Sequence, residues 1–117
     1  MRLVINIPDE TVLKVITSTM ENYPEASSSN AMQCRSFYYK ALRFFFEDTE
    51  TGKEYRVNKT MLHKAFKLMF TDKWPKGCEQ PPASGRWEDW DDWLCRCDNV
   101  SHDAFIQLAI LGEVIYG

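Results

Sequence analysis

The residues best equipped for chemistry cluster toward the C-terminal part of the chain. Cys95-Arg96-Cys97, with Cys78 and His102 nearby in sequence, offers thiolates and an imidazole that could hold zinc. Structural zinc sites commonly use paired ligands two to four residues apart, so that a tight turn aims both thiolates at one metal. Here a single residue intervenes, and on a helix the two side chains diverge by about 200°. Buried free thiols are the better account, so no metal and no other cofactor is expected. The histidines, His63 and His102, sit in no local pattern that pairs a titrating group with a nucleophile or a second acid. They read as ordinary surface residues, and the chain reads as a protein that is not an enzyme.

Charge offers a different kind of site. Glu88, Asp89, Asp91 and Asp92 interleave with Trp87, Trp90 and Trp93. A calcium loop needs alternating oxygen ligands around a Gly and a terminal Glu, which this row lacks. Acidic residues suit the first turn of a helix, and Asp92 can pair with Arg96 one turn on. A dense carboxylate row framed by Trp can also imitate the phosphates of nucleic acid or dock on a basic protein surface. Trp93 is then the expected exposed anchor, because Trp is enriched at binding hot spots. The opposing set is Arg56, Lys59, Lys64, Lys67, Lys73 and Lys76. Cations on one helix can contact phosphates with strong salt dependence. A nucleic-acid-binding regulator using Lys59, Lys64 and Lys67 is therefore the alternative. Against it, the chain is acidic overall, with net charge −3 and pI near 5.4, which weakens long-range attraction to DNA. No Gly-rich phosphate loop or nucleotide fingerprint occurs.

These charges are segregated. Residues 53–76 carry seven Lys/Arg against two Asp/Glu, whereas residues 77–103 carry two against seven. In one outcome the basic helix lies beside the acidic one and the charges partly neutralise, each exposed pair contributing about 0–1 kcal/mol. In the other, a charged face stays unmatched and meets a partner.

The elements that must position these groups follow from periodicity. Leu3, Ile5 and Ile7 alternate with Arg2, Val4 and Asn6, which predicts an N-terminal strand. A helix follows, capped by Asp9, bearing Val12, Ile16, Met20 and Tyr23, and stopped by Pro24. From Ala31 a second helix is expected, with Cys34, Phe37, Tyr38, Ala41, Leu42 and Phe45 on one face. Phe44-Phe45-Phe46 can instead open a hairpin with Tyr55-Arg56-Val57, turning over Asp48 to Gly52, and the hairpin is favoured. Asn58 caps the most regular helix, with Met61, Leu62, Ala65, Phe66, Met69 and Phe70 inward and Lys59, His63, Lys64 and Lys67 outward. Pro75, Gly77, Pro81 and Pro82 mark a linker or surface loop. A helix from Arg86 to Cys97 places Trp87, Trp90, Leu94 and Cys97 on one stripe. Ser101 caps a last helix that Gly112 ends in a left-handed conformation, leaving Glu113 to Tyr116 for a short strand. The expected fold is α+β: about four helices with a small antiparallel sheet made by the N-terminal strand and the hairpin.

At 117 residues, 44% hydrophobic and 26% charged, the chain fits one globular domain. The longest apolar runs, such as Leu108 to Leu111, fall far short of the roughly 20 residues that span a bilayer. The start, Met1 to Pro8, is too short for a signal-peptide core. No membrane association and a cytoplasmic location with reduced thiols are expected.

The tail Phe105-Ile106-Gln107-Leu108-Ala109-Ile110-Leu111-Gly112-Glu113-Val114-Ile115-Tyr116-Gly117 resembles the ending of small uncharacterised phage and prophage proteins. Asn58 to Phe70 is similar to their middle. The Trp-rich acidic helix departs from that pattern. The resemblance implies a phage or mobile-element origin, with action in the host cytoplasm by binding and inhibiting a host protein or ribonucleoprotein complex. A defence component such as a CRISPR effector is one such partner, which would make the chain an anti-CRISPR inhibitor. That step is analogy.

Overall fold

The Asp48 to Gly52 turn shows most directly how this sequence makes its fold. Asp48 Oδ1 accepts the backbone N–H groups of Glu50 at 2.8 Å and Thr51 at 3.3 Å, and the Asp48 carbonyl accepts from Gly52 at 2.7 Å. Gly52 takes φ +76°, the left-handed region that favours glycine. The turn joins β2 (Arg43–Asp48) to β3 (Glu54–Val57), with Phe44 opposite Val57 and Phe46 opposite Tyr55. This is the expected hairpin.

The computed structural model describes residues 7–26 and 32–115. Element order is α1 (Asp9–Ala26), β1 (Met32–Tyr38), a 3-10 turn (Tyr39–Ala41), β2, β3, α2 (Lys59–Leu68), α3 (Trp87–Arg96) and α4 (Asn99–Leu111). The sheet is antiparallel, in the order β1-β2-β3. The class is α+β, as expected from the sequence. The predicted strand at Leu3 to Ile7 lies, save for Ile7, outside the described residues. The third strand is β1, where the sequence predicts a helix from Ala31.

The reason for that correction lies in two competing periods. Met32 and Cys34 pair with Asp48 and Phe46 on the core side, while Gln33 pairs with Glu47 on the other. The pairing slips at Arg35, a bulge that shifts later residues by one. The slip disguises the two-residue alternation, and aromatic residues that favour strands can equally be counted on a helical face. Leu42 has φ +49°, which no helix running through to Phe45 could accommodate.

Smaller boundaries also shift. The Pro8 carbonyl accepts from Val12 N–H at 3.1 Å, so Asp9 is the first helical residue and not the cap. Helix α1 continues past Pro24 to Ala26. A proline this near a helix end forfeits only one backbone donor. Asp98, not Ser101, caps α4, with its Oδ1 accepting from Ser101 N–H at 3.0 Å. Gly112 closes α4 at φ +76°, as expected. Residues 113–115 form no strand, and Tyr116 lies outside the described residues.

The helices pack on one face of the sheet. Ile16 and Met20 of α1, Leu62 and Phe66 of α2, Trp90 and Trp93 of α3, and Phe44 and Phe46 of β2 share one core. Helix α4 runs through it with Ala104 to Ala109 all buried, as an all-round apolar helix must be. Gln107 is tolerated there because its amide donates to Asp103 at 2.7 Å and accepts from Ile115 N–H at 2.9 Å. Among the described residues, no helix is long and apolar enough to cross a membrane.

Candidate functional site

The N-cap of helix α3 is Arg86, whose side chain makes no cap hydrogen bond. Acidic Glu88 and Asp89 complement the dipole of the first turn. Asp89 does more than that, because its Oδ2 accepts from the Ser84 hydroxyl at 2.6 Å, and that hydroxyl accepts from Arg86 N–H at 3.2 Å. Asp89 therefore belongs to the scaffold that starts the helix, and it is half-buried.

The tryptophans fix which side of α3 faces out. Trp90 and Trp93 are buried, at 0% and 2% exposure. The Trp90 ring lies 5.2 Å from that of Phe66 and 6.0 Å from that of Phe70, both rooted in the basic helix segment. Trp93 crosses Trp90 at 5.3 Å. Their indoles stay satisfied: Trp90 donates to the Ser84 carbonyl at 2.9 Å, and Trp93 to the Glu79 carbonyl at 3.1 Å. Trp74, also buried, donates to the same Glu79 carbonyl at 3.0 Å. The segment between Trp74 and Gly85 is thus no free linker; it wraps the tryptophan side of α3. For the same reason Trp93 cannot be the exposed anchor expected from the sequence. It sits one turn from Trp90 on a flank that this segment covers.

Glu88, Asp91 and Asp92 occupy the opposite face and are exposed. The Glu88 and Asp92 side chains retain 74% and 76% of their accessible surface. Their ion-pair partners are arginines of the same segment: Arg86 to Glu88 at 3.8 Å, and Arg96 to Asp92 at 3.0 Å. Arg96 also reaches Glu79 at 3.4 Å. Exposed pairs of this kind contribute about 0–1 kcal/mol each. Helices α2 and α3 touch through aromatic residues, and their charged faces look elsewhere. Among the described residues, no ion pair joins the carboxylate row to Lys59, Lys64 or Lys67. These lysines are exposed on α2. Lys14 of α1 lies over the half-buried Trp87 ring, 5.0 Å from its centroid.

The thiols and histidines are placed for packing. Cys78 is buried, Cys97 half-buried and Cys95 exposed, and all are free. Burial pushes the Cys97 thiol up to about 12 and the half-buried Cys34 to about 11, and it raises that of Cys78. No group of three His, Cys, Asp or Glu side chains among the described residues is arranged to hold a metal ion. His102 is not a surface residue: it is 7% exposed, and neither ring nitrogen has a hydrogen-bond partner. Burial lowers its pKa below the usual value, against an opposing pull from Asp98. The Ser101 N–H in turn holds the Asp98 carboxyl below the usual carboxylate range. On His63, Nε2 is likewise buried without a partner.

Sequence reasoning missed one feature, the exposed outer face of the sheet around Tyr38, Phe45 and Arg56. The alternation of Arg43, Phe45 and Glu47 against Phe44, Phe46 and Asp48 carries its signal. No family model, curated protein or solved structure matches this chain.

Proposed function

We propose that the chain is a non-catalytic interaction module whose α3 carboxylates dock on a cationic surface of a macromolecular partner. The supporting observation is the outward row of Glu88, Asp91 and Asp92, matched by no lysine of α2 and mounted on a helix locked from behind by Trp90 and Trp93. A rigid mount matters because little backbone entropy remains to be lost on docking. Asp89 supports the row from the scaffold, and Trp93 acts as an internal brace. Following the resemblance of the C-terminal tail, the partner is a host protein or ribonucleoprotein complex that the chain inhibits, a CRISPR effector being one example.

Affinity capture from host lysate tests this, with the intact chain and a Glu88→Lys/Asp91→Lys/Asp92→Lys variant as parallel baits. A partner retained by the parent and lost by the variant is the expected result. Folding of the variant, checked by thermal melting, should suffer by only about 1 kcal/mol, the scale of a helix-dipole charge. Equal capture by both baits would remove α3 as the contact surface. A Lys64→Glu/Lys67→Glu bait separates this reading from the nucleic-acid alternative, in which that variant alone loses its partner and nuclease treatment releases the parent's.

A further inference from the structure

The sheet presents a second surface, unrelated to α3. Successive strand residues point to opposite faces, so Phe44, Phe46 and Val57 enter the core while Phe45 and Arg56, paired across β2 and β3, face away. Tyr38 pairs with Arg43 on that outer face. Phe45 is 43% and Tyr38 64% exposed, and both arginines are exposed. The Arg56 guanidinium lies over the Phe45 ring, 5.6 Å from its centroid.

Topology concentrates charge at one end of this face. In an antiparallel sheet the end of β1, the start of β2 and the end of β3 meet. Exposed Lys40, in the turn between β1 and β2, and exposed Lys59, the first residue of α2, flank that same end of the sheet. The outer-face acids lie toward the opposite end, where Glu47 pairs with Glu54 across the strands and Arg35 holds Glu47 at 2.6 Å. Among the described residues, no ion pair engages Lys40, Arg43, Arg56 or Lys59.

We propose that this end of the sheet is a platform for single-stranded nucleic acid, with bases stacked on Tyr38 and Phe45 and phosphates held by Arg43, Arg56, Lys40 and Lys59. Aromatic faces beside uncompensated cations complement a polyanion that carries exposed π-faces. An apolar protein partner would leave those cations without counter-charge. A duplex hides its base faces within the stack, so unpaired strands are preferred. Arg56 over Phe45 extends the stacking surface through a cation–π contact.

Fluorescence anisotropy with labelled oligo-dU and oligo-U of about 12 nucleotides, within the length range that single-strand grooves bind, tests the proposal on the intact chain. Saturable binding to at least one of them is expected, and the preferred sugar shows whether DNA or RNA is the ligand. Four cations limit the log–log salt slope to about −3. Tyr38→Ala/Phe45→Ala should weaken binding about tenfold or more while thermal melting shows the variant still folded, since neither side chain is part of the core. Arg43→Ala/Arg56→Ala should flatten the salt slope, and Lys64→Ala/Lys67→Ala should leave affinity intact. The proposal fails if neither oligonucleotide binds at low salt, if a matching duplex binds equally well, or if Lys64 and Lys67 carry the affinity. It also fails if the face instead mediates a concentration-dependent dimer that Phe45→Ser dissolves.

Discussion

Residue types alone separated the charged groups from the apolar ones, but not the exposed from the buried. Trp93 and Asp89 belong to the same short run as Glu88 and Asp92, yet one is sealed in the core and the other tied to Ser84. Both outcomes depend on the 74–85 segment folding back over α3, a non-local event that helical spacing does not encode. Truncating Trp90, in contact with Phe66, Phe70 and Trp93, should cost about 3–5 kcal/mol, read as a lower denaturant midpoint. His102 was equally misplaced by its polar character. Its folded-state pKa is depressed, so its contribution to stability is complete above the unfolded pKa of about 6.5 and is lost as pH falls through the folded value. The melting temperature should therefore drop between pH 7.5 and 5.5, and His102→Asn should shrink that drop. An unchanged drop in the variant would assign the pH sensitivity to other groups.

At the level of elements, legibility tracked how locally each one is specified. The β2–β3 hairpin and α2 carry their own instructions: a glycine turn in one case, and in the other an Asn58 cap that accepts from Met61 N–H at 3.0 Å. Both were readable. β1 takes its identity from its pairing with β2 and is interrupted by a bulge, so local periodicity pointed to a helix instead. Gly52→Ala forces a Cβ into left-handed backbone and should destabilise the hairpin by about 1–2 kcal/mol in urea unfolding, although no steric clash awaits the added carbon. Asp98→Ala removes the cap of α4 and should cost about 0.5–2 kcal/mol by the same measurement. Neither substitution touches the α3 carboxylates, so partner capture should survive both.

Taken as a whole, the molecule keeps the α3 carboxylates apart from the lysines of α2. The acidic and basic runs of the sequence become neighbouring helices joined through aromatic backs, with each charged face turned outward. Docking through Glu88, Asp91 and Asp92 should weaken as salt rises, because exposed charges are screened over about 8–10 Å at physiological ionic strength. Salt-independent capture would point to an apolar contact in its place. The tryptophan arrangement behind that face has a spectroscopic consequence. Trp74 and Trp93 aim their N–H groups at one carbonyl, and Trp90 crosses Trp93 at 74°. Burial gives these indoles blue-shifted emission, and their close approach lets them exchange excitation, which depolarises that emission and adds a near-ultraviolet dichroism band. When the 74–85 wrap peels from α3, Trp74 leaves the group and Trp93 meets water, so the emission moves to the red even while the helices persist. The carboxylate face thus carries a label-free optical gauge of whether its own mounting is intact.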